Sequence, residues 1–301
     1  TTNAQNQYTQ RTTPRLIDLL VEANASAAVT VNSSAPTSVG NLFRKQFDYS
    51  GEPNPNDPRY ETFSVESTLS GDAAEDSGKV FLPAHPETFT YDGDGNLLTD
   101  GRWSYTWNGE NRLITMETPA SLVTPSGPLP VSQRLKLEFV YDAQGRRISK
   151  KVYSWDSGSS VWQLDKESLF LYDGWNLVWD EITEGATTTE RTYVWGLDLS
   201  GSMQGAGGVG GLLQMNVTVG SSSTEVYFPA YDGRGNVVGL YDPYGAQTAE
   251  YTYGPFGEPV GFVDADDLNP FRFSTKYWDA ETELSYYGFR YYDAGLGRWP
   301  S

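Results

Sequence analysis

The 301-residue chain lacks cysteine and has one histidine, His85. Without cysteine it cannot form a disulfide, a thiolate nucleophile or a zinc–thiolate centre. His85 is flanked by Pro83 and Pro86, and nothing around it resembles a nucleophile elbow, so we expect no Ser-His-Asp triad. A single histidine also argues against a transition-metal site. We therefore predict neither a metal nor a cofactor.

The chain is also poor in basic residues. It has 21 Lys and Arg against 39 Asp and Glu, and its formal net charge is −18. Such a chain repels nucleic acid and anionic membranes, and no basic patch is present to bind phosphates. No apolar run approaches the roughly 18 residues that a membrane-spanning helix needs. We expect no nucleic-acid partner and no membrane insertion.

Tyrosine and glycine, in contrast, are abundant, with 20 and 31 residues. Together with many Thr and Val residues, this composition is typical of an all-β protein rich in turns. Residues 1 to 80 are predicted to form an N-terminal β-rich segment. Within it, the alternation in "ETFSVESTL" (61 to 69) indicates a strand, and "SGDAAEDSG" (70 to 78) indicates an acidic loop.

One short helix is expected in this N-terminal segment, at "PRLIDLLVEA" (14 to 23). Pro14 suits the first turn of a helix. Leu16, Leu19 and Leu20 would then share one apolar face.

From residue 81 to residue 260 one unit recurs. An aromatic residue is followed by Asp or another small residue, then by a turn, then by apolar residues. The aromatic and acidic heads of these units are Tyr91, Asp92, Trp107, Tyr141, Asp142, Tyr172, Asp173, Tyr231, Asp232, Tyr241, Asp242 and Tyr253. A Gly or Asn stands about four residues after most of the aromatics, at Gly95, Asn111, Gly145, Asn176, Gly235, Gly245 and Gly257.

This unit has the chemistry of a β-hairpin corner. The Asp can accept backbone N–H groups within the turn, and the Gly or Asn can adopt the left-handed conformation of the reversal. Tyrosine suits the strand end because its ring is apolar and its hydroxyl can reach water. We predict a continuous, wound antiparallel β-sheet of such hairpins, forming a partial shell or a short β-spiral barrel.

These corners resemble the YD-repeat, or rearrangement-hotspot (Rhs), family. The similarity is densest in "PAYDGRGNVVGLYD", "YTYGPFGEPV" and "NPFRFSTKYWDAETELSYYGFRYYDAGLGRW", and residues 261 to 301 resemble the family's C-terminal core segment. The resemblance implies a secreted or cell-surface bacterial shell protein that encloses a C-terminal toxin or other effector. In the family this segment also contains an aspartyl autoprotease.

The resemblance assigns one protease residue to this sequence. Arg290 matches the arginine of the family's "GFRYYD" motif, whereas the chain stops at "GLGRWPS", before the family's "DP" aspartate. Peptide hydrolysis needs a group that activates water, and an isolated arginine cannot supply one. We therefore expect a non-catalytic structural protein, with no self-cleavage.

Three acidic or glycine-rich motifs have weaker functional interpretations. "GAGGVG" (205 to 210) matches a dinucleotide fingerprint, but no amphipathic helix follows it, so a bend in the sheet is favoured. "DGDGN" (92 to 96) lacks the later glycine and glutamate of a calcium loop. "DADD" (264 to 267) is expected to be a solvated loop.

Three functions follow from this sequence. The first is a shell or scaffold that encloses or carries an effector domain. The second is an extracellular filament subunit that self-associates through β-edges, because unpaired strand edges recruit further strands. The third is a carbohydrate-binding adhesion module, suggested by nine tryptophans.

Overall fold

The computed structural model describes residues 1–123, 127–264 and 268–300. These residues form twenty-five strands and three single-turn 3-10 helices. In chain order, strands β1 to β25 are Gln10–Arg11, Leu16–Glu22, Ala28–Val31, Thr37–Val39, Leu42–Asp48, Arg59–Leu69, Asp72–Leu82, Glu87–Thr88, Thr90–Tyr91, Leu97–Thr99, Ser104–Trp107, Leu113–Glu117, Leu135–Tyr141, Arg147–Asp156, Val161–Asp173, Asn176–Glu184, Thr187–Trp195, Leu212–Val219, Glu225–Tyr231, Val237–Tyr241, Gln247–Tyr253, Pro259–Asp264, Tyr277–Asp279, Leu284–Tyr286 and Tyr291–Asp293. The 3-10 helices are Ala120–Leu122, Val131–Gln133 and Phe273–Thr275.

The chain divides into two compact units. The first comprises Thr1–Asp92, Leu97–Ser104 and Thr118–Arg134, and the second comprises Gly93–Asn96, Tyr105–Glu117 and the chain from Leu135 onward. In the described part of the chain, no helix is long and apolar enough to cross a membrane.

The helix expected over residues 14 to 23 is wrong, because Leu16–Glu22 forms strand β2. Strand β2 pairs with β5 along its whole length. Ile17 is buried, whereas Leu16 and Leu20 are 46% and 56% exposed. The sequence "LIDLLVE" fits both periodicities, and its β-branched residues together with a full partner strand favour the strand. The core of this unit centres on Ile17, Val31, Phe63 and Leu82.

The acidic loop expected over residues 70 to 78 is also wrong. Ser70 and Gly71 have φ values of 54° and 99° and close a tight turn between β6 and β7. Asp72–Leu82 is then a strand that pairs with β6 over its full length. The strand expected at 61 to 69 is present within β6. Because β7 is an edge strand, its acidic residues discourage pairing with other chains.

The all-β prediction is confirmed by one large antiparallel sheet. Fourteen strands, β9 to β22, lie side by side, and each strand pairs with its neighbours in the sequence. The sheet runs from β9 to β22 without closing, which agrees with the partial-shell prediction and not with a barrel.

In the second unit, one face of this sheet is buried. Strands β13, β14, β15 and β18 contain stretches that alternate between buried and more exposed residues, as strands with one covered face do. The buried face combines apolar side chains such as Leu137, Phe170 and Met215 with the charged Arg147 and Arg191. Buried charges require partners, and these come largely from the C-terminal part of the same unit.

Candidate functional site

The corners of the large sheet follow one turn geometry. At the Tyr141 corner, Oδ1 of Asp142 accepts the backbone N–H groups of Gln144 (2.9 Å) and Arg146 (3.0 Å). Gly145 has φ +85°, a conformation that residues with a Cβ rarely adopt. The same pair of side-chain acceptor bonds occurs at Asn108, Asp232 and Asp242.

The tyrosines of these corners connect successive hairpins. The hydroxyl of Tyr141 donates to the carbonyl of Leu113 (2.7 Å), and the hydroxyls of Tyr231 and Tyr253 donate to those of Leu212 (2.5 Å) and Val237 (2.7 Å). Each acceptor begins the strand that precedes the one ending in the tyrosine. The expectation that the hydroxyls reach water is therefore wrong at these three corners. Burial raises the pKa of all three tyrosines.

Trp195 also donates a hydrogen bond to the preceding strand, at a corner that the sequence analysis did not predict. Its indole Nε1 donates to the carbonyl of Leu177 (2.6 Å), at the start of the preceding strand. The signal was an aromatic residue at a strand end followed by Gly196, as Tyr253 is followed by Gly254.

The remaining predicted heads also lie at strand ends. Tyr91, Trp107 and Tyr241 are the last residues of β9, β11 and β20, and Asp92 follows β9. Tyr172 and Asp173 end β15, but their turn differs from the expected one. The positive φ occurs at Gly174 (58°), and Asn176 instead begins β16.

The C-terminal part of the second unit is joined to the buried sheet face by an ion network. One carboxylate oxygen of Asp279 accepts Nη1 of Arg147 (2.5 Å), and the other accepts Nζ of Lys150 (2.8 Å). Lys150 also bonds Glu281 (2.9 Å). The side chains of Arg147 and Asp279 are fully buried. The carboxylates therefore neutralise two cations that the sheet would otherwise bury alone.

Aromatic rings surround the Arg147 guanidinium. Its centre lies 4.7 Å from the ring centroids of Phe170 and Tyr286 and 5.1 Å from that of Tyr277. Nε and Nη2 have no hydrogen-bond partner among the described residues, so these ring faces supply the remaining favourable contacts. The hydroxyl of Tyr286 accepts the backbone N–H of Arg147 (2.8 Å).

A second buried ion pair lies two strands further on. Arg191 on β17 forms a bidentate pair with Asp180 on β16, at 2.8 and 2.9 Å. Its Nη1 donates to the carbonyl of Leu268 (2.9 Å), and Nη2 donates to the hydroxyl of Tyr277 (3.1 Å). The pair thus also binds the C-terminal residues to the sheet.

Hydrogen bonds to the corner at residues 232 to 236 attach the C-terminal residues to the sheet at a third place. The Thr275 hydroxyl donates to the carbonyl of Gly235 (2.7 Å), and Oδ1 of Asn236 accepts the backbone N–H of Ser274 (2.8 Å). The N–H of Gly210 donates to the Thr275 hydroxyl (2.8 Å). The corner "DGRGN" therefore turns the chain and also holds the C-terminal residues.

The electrostatics of the ion network favour its charged form. Burial alone would raise the pKa of Glu281, but Lys150 and Lys166 outweigh it and lower that pKa to about 2. Burial likewise opposes the charge on Arg147 and Lys150, yet Asp279 raises the pKa of both. Glu281, Arg147 and Lys150 are thus charged at neutral pH, and the geometry of the network suits attachment.

Arg290 lies away from this network, between β24 and β25. Its guanidinium stacks 4.5 Å from the ring of Trp299, and its side chain is exposed. It lines a cleft of about 450 Å³ with the acidic Asp94 and Glu110. The role that the family resemblance gives Arg290 stays a prediction.

Other motifs have structural explanations. Oδ2 of Asp198 accepts the N–H groups of Ala206 (2.7 Å) and Gly208 (3.1 Å), so the glycine-rich turn already binds an internal carboxylate. Burial opposes this charge, but the hydrogen bonds lower the pKa of Asp198 to about 2. Nδ1 of His85 lies 2.8 Å from the carbonyl oxygen of Thr13. Three of the four residues of "DADD" lie outside the described residues.

No family model matches the chain. The chain is similar to bacterial toxin proteins. It is 26% identical to the tRNA3(Ser)-specific nuclease WapA of Bacillus spizizenii over 215 residues, which are 70% of this chain and 8% of that protein. It is 27% identical to the double-stranded DNA deaminase toxin A of Burkholderia cenocepacia over 265 residues, covering 82% of this chain and 18% of that protein.

Solved structures show the same fold. A Tc holotoxin pore of Photorhabdus luminescens matches 91% of this chain with a TM-score of 0.54 at 14% identity, over 13% of that chain. The TcdB2-TccC3-TEV crystal structure matches 80% of this chain with a TM-score of 0.53 at 16% identity, over 12% of that chain.

These relatives correct two expectations. The chain was expected to be non-enzymatic, but the curated relatives are named as a nuclease and a deaminase, so that expectation is wrong. The exclusion of a nucleic-acid partner rested on the net charge and the lack of a basic patch, and it finds no support among proteins named for tRNA and DNA. The chain spans less than a fifth of either relative.

Proposed function

We propose that this chain is a wall segment of a secreted bacterial toxin of the Rhs type. Its sheet of YD corners and its C-terminal core segment, residues 261 to 301, would enclose or carry an effector. The similarity to WapA and the deaminase toxin, and the fold shared with Tc toxin structures, support this proposal.

The observation that carries the proposal is the burial of Asp279 between Arg147 and Lys150. A wall around an effector must hold its covering segment in one place. Removing one partner of a buried ion pair costs about 3–5 kcal/mol, so this network can fix the C-terminal residues on the sheet. The tyrosine bonds between successive hairpins would stiffen the same wall.

We further infer that the complete protein containing this chain is an enzyme that acts on nucleic acid. The names of the relatives support this inference: two different chemistries, tRNA cleavage and DNA deamination, accompany similar segments. A common segment joined to different activities fits a carrier that accepts different effectors.

Electron microscopy of the complete native protein tests the wall. The proposal predicts separate particles with a sheet-built wall, whereas fibres made of repeated copies would favour the filament alternative and contradict it.

Expression of the complete protein in bacteria tests the activity, with tRNA integrity and genomic base changes as readouts. Normal growth with intact tRNA and unaltered DNA would contradict the enzymatic inference.

A further inference from the structure

A cleft of about 240 Å³ lies beside the glycine-rich turn in the second unit. Its lining is mostly aromatic and includes Tyr172, Trp175, Trp195 and Phe289. Lys276 provides the one charged side chain of this lining. An apolar pocket with few polar groups is the usual form of a small-molecule site, and this volume lies just below the range for drug-sized ligands.

Lys276 is half-buried, and its contacts differ from those of Arg147, Lys150 and Arg191, which each bond a buried carboxylate. Nζ of Lys276 donates to the neutral carbonyl of Gly207 (2.5 Å) and lies 5.4 Å from the ring centroid of Tyr287. The lining of the cleft contains no Asp or Glu. Burial lowers the pKa of Lys276 to about 8, and the carboxylate of Asp198 offsets only part of this effect. An anion entering the cleft would offset the free-energy cost of burying the Lys276 ammonium.

Several other polar groups beside the cleft are already engaged. Gln204 accepts the N–H of Trp175 (3.1 Å) and donates to the carbonyl of Asp173 (3.0 Å). The N–H groups of Ala206 and Gly208 are bonded to Asp198. A phosphate would need several donors and a sugar would need paired donors and acceptors, so the single ammonium best fits a singly charged carboxylate.

Two aromatic side chains lie at the open side of the cleft. The ring centroids of Trp175 and Phe289 lie 4.3 Å apart with the ring planes tilted by 48°, and the two side chains are 37% and 67% exposed. Gly288 has φ +92°, and a Cβ there would lie 3.1 Å from the Trp175 ring. The glycine therefore lets the Trp175 ring lie close to the backbone, and the exposed parts of the two rings offer an apolar surface to a bound ring.

We propose that this cleft binds a small aromatic carboxylate, with the carboxylate on Lys276 Nζ and the ring against Trp175 and Phe289. The binding would be reversible and noncovalent. One or two fused rings fit the volume.

Calorimetric titration of the chain with 2-naphthoate and with 2-naphthamide tests the proposal. The two probes share a shape and differ in charge. We expect 2-naphthoate to bind at least tenfold more tightly than the amide. Equal affinity for the two probes, or no binding of 2-naphthoate at millimolar concentration, would overturn the proposal.

Two variants locate the site. Lys276→Met should abolish the preference for 2-naphthoate, while Lys151→Met, at a half-exposed lysine of the same unit, should retain it. Phe289→Ala changes an exposed ring, so folding should be preserved while 2-naphthoate binds several-fold more weakly. Retention of the full preference in Lys276→Met would place the binding elsewhere and refute the assignment.

Discussion

The Asp279→Asn substitution is the sharpest test of the ion network. It keeps the size of the side chain but replaces one carboxylate oxygen with an NH₂ group. Both oxygens now bond cations, Arg147 at 2.5 Å and Lys150 at 2.8 Å, so the new NH₂ group must face one of them. The variant therefore removes the negative charge and turns an NH₂ donor toward one of the two cationic donors.

The expected loss is large because the Arg147–Asp279 pair is buried. The side chains of Arg147 and Asp279 have no exposed surface, and Lys150 is 4% exposed. Breaking such a buried pair from one side costs about 3–5 kcal/mol. The matched control is Glu167→Gln, which breaks the Lys151–Glu167 pair, where both partners are 37% exposed. An exposed pair of this kind contributes about 0–1 kcal/mol.

Urea unfolding, followed by tryptophan fluorescence at pH 7, measures the difference. Phe63→Ala changes the core of the first unit and should shift the unfolding transition of that unit. The transition that this variant leaves unchanged is assigned to the second unit. We expect Asp279→Asn to lower its free energy of unfolding by about 3–5 kcal/mol. A loss no larger than that of Glu167→Gln would refute the view that this network fastens the C-terminal residues.

Three further predictions concern the corners and the pH dependence. Tyr231→Phe leaves a buried carbonyl unpaired and should cost about 1–3 kcal/mol in urea unfolding, whereas Tyr244→Phe, at a 95% exposed ring, should cost nothing measurable. Gly145→Ala should cost about 1–2 kcal/mol, because a Cβ there would make only ordinary van der Waals contacts at 3.9 Å but φ is +85°; Gly93→Ala, with no positive φ, is its control, and equal losses would contradict the turn assignment. The pKa of Glu281 is lowered from 4.5 to about 2, so its contribution to stability is complete above pH 4.5 and is lost as the pH falls toward 2; an acid titration in which Glu281→Gln unfolds at the same pH as the unchanged chain would disprove this.

The hairpin corners could be predicted from sequence because their chemistry is local. Asp142 and its turn partners lie within four residues of one another, and Gly145 meets a backbone requirement that few residues satisfy. The strand at Leu16–Glu22 was mistaken for a helix because its apolar residues fit both periods, and only its pairing with β5 decides between them.

The ion network could not be predicted from the sequence because its members are far apart in the chain. Arg147 and Asp279 are separated by 132 residues. Arg147 and Lys150 are three residues apart, which places them on opposite faces of a regular strand, so alternation in "RISKKV" does not indicate that both are buried. A register shift in the pairing of β13 with β14 lies beside Arg147. Which carboxylate binds the two cations is a property of the folded chain.

Hydrogen exchange across the second unit tests most directly whether the C-terminal residues are fixed on the sheet. If they are, the amides of β23 to β25 should exchange as slowly as those of β14 to β17, and Asp279→Asn should accelerate them selectively. Exchange of β23 to β25 at the rate of an unfolded peptide, while β14 to β17 stay protected, would contradict the account.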